Sequence, residues 1–170
     1  MRAAILSDIH SNYNALELVI RDARVNGVDE FWCLGDIVDY GWQPIEVIAE
    51  LQRIMKLDNW IMGNHDAFFA GMLRASLFGK ESQIMMNHNK TLIVREASSL
   101  PGFEEYVKRL FVAEHRTVKQ KRFDGLVCYL THSGFDWQDY PYFWFDERPL
   151  GKHALKLFND VRDNHIQVGG

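Results

Sequence analysis

The chain has 170 residues, 47% of them hydrophobic, with a formal net charge of -4 and a pI near 6.0. That is enough apolar material for one globular domain over 1–170. The acidic balance argues against a dedicated nucleic-acid or membrane-surface binder, whose phosphate contacts would call for excess basic charge. The two cysteines, Cys33 and Cys128, sit in apolar runs and are expected to be reduced, in a cytoplasmic setting. The apolar run at 3–6 is too short for a signal peptide or a membrane span.

Residues 2–7 read as a first strand, apolar through the middle as a strand covered on both faces would be. Asn14 with Glu17 has capping-box spacing, and Leu16, Val19, Ile20 and Ala23 follow at helical period until Gly27. A second strand at 31–34 leads into the turn Gly35-Asp36-Ile37-Val38-Asp39-Tyr40-Gly41. Pro44 then opens a helix with Ile45, Ile48, Ala49, Gln52 and Met55 on one face, and 59–62 reads as a third strand. This order predicts βαβ units and a largely parallel sheet. Helices are expected over 67–77, 81–97 and 104–111. Asp124-Gly125 between 117–123 and 126–130 signals an antiparallel hairpin. An aromatic, proline-containing loop at 135–150, a helix at 152–163 and a short strand at 166–168 complete the prediction.

The informative residues collect where strands end. The first strand ends in Ser7-Asp8-Ile9-His10, the second in Gly35-Asp36, the third in Gly63-Asn64-His65-Asp66 and the hairpin in Thr131-His132. Ligands of open α/β sheets sit beyond the carboxyl ends of strands, so these groups should converge. Carboxylate, imidazole and amide oxygen suit divalent metals such as manganese, zinc or ferrous iron. Asp8 and His10, two apart, would share one side of an extended chain and one cation. Each group alone has an ordinary explanation: Asp8 as a helix cap, Asn64 and Asp66 as turn residues, His132 as a satisfied loop histidine. Four such groups at four strand ends favour a metal site.

These motifs, in this order, resemble those of the calcineurin-like metallophosphoesterases, and most closely the small bacterial and archaeal phosphodiesterase branch. The resemblance implies a four-layer α/β/β/α sandwich around a dinuclear centre of two divalent ions, with manganese, iron, zinc and nickel as candidates. It implies that Asp8 and His10 bind the first ion, that Asp36 bridges both, and that Asn64 and His132 bind the second. His65 would be the catalytic histidine and Asp39 its carboxylate partner. The implied reaction is attack of a metal-bridging hydroxide on a small phosphoester, a nucleotide among the candidates, with His65 assisting the leaving group. The alternative reading is a scaffold or binding module that keeps the fold with a failed metal site.

The chain departs from the family pattern in two places. Family members continue with Gly-His-x-His where this sequence reads Val168-Gly169-Gly170, so the second sheet is expected to lack its last strands and each ion one protein ligand. A fragment of a longer enzyme explains this better than a shortened relative. Neither His153 nor His165 stands in a matching position. Ser11 occupies a place where the branch commonly has glycine. The aromatic loop is read as a lid packing on its own core, or as a dimer surface, rather than a pocket wall, and Arg116, Lys119, Lys121 and Arg122 as a solvated strand face. His88 and His115 are given no role.

Overall fold

β1 (Ala3–Leu6) and β2 (Glu30–Cys33) pair in parallel, Ala3 opposite Glu30 and Leu6 opposite Cys33. The fold is that of a computed structural model, which describes residues 2–112, 119–123, 126–132 and 165–169. Parallel neighbours need a crossover, and α1 (Tyr13–Val25) supplies it. Its cap is Asn12, which accepts from the Ala15 amide at 3.1 Å, two positions before the expected Asn14. The chain leaves Ser11 with a left-handed φ of 55° and turns directly into helix, so the earlier asparagine meets the free amide. Leu16, Ile20 and Ala23 are buried as one stripe, while Val19, expected among them, is exposed.

α2 (Pro44–Ile54) starts on proline as the sequence predicts. Its buried stripe is Val47, Ile48 and Leu51 rather than the face through Ile45 and Gln52, and Gln52 is exposed. Apolar residues flank both sides of Ile48, and packing against α1 and the later helices selects the side with Val47 and Leu51. The third strand expected at 59–62 is a single bridge from Cys33 to Trp60 with the Ile61 amide on the Cys33 carbonyl at 2.9 Å. A 3-10 turn through Asn59 and the turn at Gly63 leave too few residues for a ladder. The helix expected over 67–77 is α3 (Asn64–Phe69) followed by a 3-10 turn (Ala75–Leu77). Gly71, at φ +75°, takes the chain out of the helix between them. α4 (Lys80–Ala97) and α5 (Phe103–Leu110) match expectation within a residue.

The second sheet has the order β3 (Lys119–Phe123), β4 (Leu126–Thr131), β5 (His165–Gly169). β3 and β4 are the expected antiparallel pair, and β5 runs parallel to β4. Alternation along β2 sorts the core into two. Phe31 and Cys33 join the buried residues of the helices, while Trp32 and Leu34 pack with Ile61, Cys128 and Leu130 between the sheets. Helices, first sheet and second sheet therefore stack as three layers. Both cysteines are buried and unbonded. Among the described residues no helix is long and apolar enough to cross a membrane. The expected fourth layer at 152–163 lies outside the described residues. So do the loop at 135–150, Arg116, His115, His153, and the turn residues Asp124 and Gly125.

Candidate metal centre

The ladder between β1 and β2 continues into the loops that follow them. The Leu34 amide bonds to the Leu6 carbonyl, Asp8 to Gly35, His10 to Asp36 and Ser11 to Ile37, all at 2.8–3.0 Å. Laced together in this way, the loops hold six non-glycine residues at positive φ: Asp8, His10, Ser11, Asp36, Asp39 and Tyr40. Left-handed backbone costs such residues of the order of 1 kcal/mol each, and it persists where surrounding contacts over-determine it. Asp8 and His10 do converge, with His10 Nε2 3.8 Å from Asp8 Oδ1, but through a left-handed turn rather than the extended chain the spacing suggests. Two glycines allow the close approach of the loops. A Cβ at Gly35 (φ +105°) would stand 2.4 Å from the Gly63 amide nitrogen, and one at Gly63 would stand 2.1 Å from Asp36 Oδ1.

Three imidazoles are tied at Nδ1. His10 Nδ1 donates to the Val38 carbonyl at 3.0 Å, His132 Nδ1 to the Leu34 carbonyl at 2.6 Å, and His65 Nδ1 to Asp39 Oδ2 at 2.5 Å. Each ring therefore turns Nε2 toward the cluster, where the neutral imidazole offers a lone pair to a cation and the doubly protonated one offers a proton. Asp36 stands at the centre. Its Oδ2 is 3.4 Å from His132 Nε2 and 3.9 Å from His10 Nε2, and its Oδ1 accepts the His65 amide at 2.9 Å. Asn64 Oδ1 lies 3.0 Å from His132 Nε2. Ligand atoms of Asp8, Asp36 and His132 lie within 4.8 Å of one another, as do those of His10, Asp36 and His65. All seven residues singled out from the sequence are thus in one place, and Asp36 is common to both ligand groups.

Several residues that build the site carry no signal in the sequence. Asp66 is fully buried and accepts the amides of Asp36 (2.6 Å), Ile37 (3.0 Å) and Gly63 (2.9 Å), so it ties the second loop to the third. By sequence it is an ordinary turn residue. α4 presents Ser82, Met86, Asn89 and Ile93 as one buried stripe, two of its members polar. Ser82 donates to Asp39 Oδ2, the oxygen that also holds His65. Asn89 Oδ1 accepts both the Asp39 amide at 3.1 Å and the Ser11 hydroxyl, while its Nδ2 donates to the Gly41 carbonyl. Ser11, where the branch often has glycine, sits at φ 55°, and its hydroxyl offsets part of the strain through Asn89. Only helical spacing of polar residues on an otherwise apolar stripe hints at these roles. His88, given no role, packs edge-on against Trp42 with ring centroids 5.0 Å apart.

Within this cluster, carboxylates and imidazoles shift one another's titration. Burial opposes a charge on His132, but the hydrogen bond to Asp36, the charges of Asp36 and Asp66 and the bond to the Leu34 carbonyl together outweigh it and raise the imidazole to about 9. Burial likewise opposes a charge on His65, and Asp39 raises it. Asp36 is held below its ordinary range, since burial is outweighed by His132 and the other imidazoles. Asp66, buried and facing Asp36, is pushed up to about 7. Such a cluster demands positive charge at its centre.

Comparison with known proteins agrees with this chemistry. The family described as calcineurin-like phosphoesterase matches residues 1–169. An uncharacterized protein of Methanocaldococcus jannaschii is 37% identical over 93 residues, which cover 55% of this chain and 37% of that protein. A symmetrical bis(5'-nucleosyl)-tetraphosphatase of Buchnera aphidicola is 34% identical over 67 residues, 39% of this chain and 24% of that enzyme. These matches span well under half the length of either relative. A metallophosphoesterase crystal structure from Sphaerobacter thermophilus superposes with a TM-score of 0.60 at 23% identity, covering 95% of this chain and 57% of that one. This likeness shows an α/β sandwich of the same class.

Proposed function

The chain belongs to the calcineurin-like phosphoesterase family, and on that premise we propose that it is a metal-dependent phosphodiesterase acting on a nucleotide-like phosphoester. The family is metal-dependent, and the donor set fits divalent cations: oxygen and imidazole nitrogen, with no thiolate. Donor separations of 3.4–3.9 Å at Asp36, His10, His132 and Asp8 are close to those of two ligands sharing an ion at about 2.0–2.2 Å from each. Asp8 and His10 would hold one ion, Asn64 and His132 a second, and Asp36 both. That pairing is what the family resemblance implies; the observation that carries the reading is that Asp36 alone belongs to both ligand groups, with His10 and His65 in one and with Asp8 and His132 in the other. Divalent ions there supply the positive charge that offsets a phosphate and makes a water acidic enough to attack it.

The protein's own groups do the rest. A water oxygen bonds to phosphorus as the bond to the ester oxygen breaks, and that oxygen needs a proton. His65 Nε2 gives it, because Asp39 fixes the proton at Nδ1 and leaves Nε2 aimed away from its own support. Ser82 and the Tyr40 amide, at 2.8 Å from Oδ1, keep Asp39 from turning. The nucleotide character rests on the relatives named as tetraphosphatases.

The test is turnover together with metal content. The protein loaded with manganese is expected to hydrolyse bis(4-nitrophenyl) phosphate faster than 4-nitrophenyl phosphate, and chelation should stop both. Asp36→Asn is expected to remove more bound metal than Asp39→Asn by elemental analysis; equal loss in the two variants would sink the division between bridge and support. Because His132 must give up its proton to bind a cation, metal uptake at pH 7.5 should release protons, and affinity should weaken as pH falls. Calorimetry in buffers of different ionisation enthalpy reads this directly, and heats independent of buffer would contradict it.

A further inference from the structure

The metal centre forms one wall of a cavity of about 330 Å³, and the opposite part of its lining is of another kind: Tyr40, Leu77, Phe78 and Gly79. No lysine or arginine stands among the described residues that line it. Tyr40 and Leu77 are 53% and 49% exposed, while Phe78 beside them is 8% exposed. Tyr40 is there at a backbone cost. Its φ of 52° suits glycine or asparagine, yet a tyrosine occupies it, anchored by its amide on Asp39 Oδ1. The tyrosine ring meets His10 edge-on with centroids 4.7 Å apart and lies 5.1 Å from His65, whose other ring contact is Phe78 at 5.1 Å. A Cβ at Gly79 would meet nothing within 4 Å, so space remains beside this wall.

We propose that Tyr40, Leu77 and Phe78 form a subsite for an uncharged flat group, a nucleoside base or aryl ring, carried by the ester that His65 protonates. The inference rests on the phosphodiesterase reading. With no basic side chain among its described residues, this apolar, half-open wall gives a second phosphate nothing to bind, whereas a ring gains stacking area on tyrosine and leucine. The position beside His65 assigns the wall to the ester oxygen's substituent rather than to the attacking side. The cavity volume, at the lower end of small-molecule sites, suits one nucleoside.

Adenosine 5'-monophosphate and ribose 5-phosphate share the phosphate and the sugar and differ in the base. Calorimetric titration of the full manganese-loaded chain with each isolates the subsite. The nucleotide is expected to bind about tenfold tighter, as base stacking on an aromatic wall commonly gives. Tyr40→Ala and Leu77→Ser should each cut that ratio below about threefold, and Leu77→Ser should leave the ribose 5-phosphate Kd within about twofold of the parent. Equal affinity of the parent for both ligands would overturn the subsite alone. A preference kept in both variants would overturn it as well, and so would a Leu77→Ser variant that weakens ribose 5-phosphate as much as the nucleotide. Failure of the parent to bind either ligand would overturn the phosphoester reading and the subsite with it.

Discussion

Asp66→Ala is expected to destabilise the metal-free protein by about 3 kcal/mol or more, since each buried donor left without a partner costs about 1–3 kcal/mol and three would lose theirs. The three closest donors are the amides of Asp36, Ile37 and Gly63, with that of Val38 at 3.4 Å, and the carboxylate they share is fully buried. Methyl cannot replace any of these bonds. The loops around it are already strained at Asp36 and Asp39, so freeing the Asp36 amide releases the backbone that aims the bridging carboxylate. Metal content should therefore fall along with the unfolding midpoint in urea. Asp66→Asn keeps one acceptor oxygen and sets its amide against the remaining donors, which predicts a loss between those of the parent and of the alanine variant. An alanine variant within about 1 kcal/mol of the parent would show that water replaces the carboxylate, and Asp66 would then be a spacer.

Asp66 also marks how far the sequence can be read. Asp8, His10, Asp36, Asn64, His65 and His132 are legible because each follows an apolar run that ends at a turn, and chain order alone brings strand ends together. Asp66 is not, because its partners are backbone amides up to 30 residues away, and no residue type advertises such a bond. Ser82 and Asn89 are hidden for a related reason. On a helix a buried serine or asparagine looks like a surface residue until the packing shows what it faces. The differences in elements are local. At 59–62 apolar character suggests a strand, but a 3-10 turn and Gly63 confine the pairing to one bridge. At Asn14 a sound capping pattern loses to Asn12, which the left-handed turn at Ser11 places first. The left-handed residues Asp8 and His10 likewise explain why the two side chains converge by a geometry that their spacing does not suggest.

His65→Ala is the sharpest test of role, because His65 stands in two arrangements at once. Its ring belongs to a ligand group with His10 and Asp36, and its Nδ1 is bound to the buried Asp39. A ligand must be neutral at the coordinating nitrogen, while an acid must carry a proton there. Burial works against that proton, but the Asp39 hydrogen bond and then the charge of Asp36 raise the imidazole's pKa above its ordinary value. A histidine so placed keeps its proton toward neutral pH, which favours the acid. Turnover of a diester should then fall by about 10²- to 10⁴-fold in the alanine variant, the usual worth of a positioned acid. Bound metal should stay at the parent level. The sign of the pH dependence follows: the parent loses activity as pH rises through the titration of His65, and the variant's residual activity lacks that alkaline limb. A variant that loses metal in proportion to activity would make His65 a ligand, and the proton would have to come from elsewhere in the cavity.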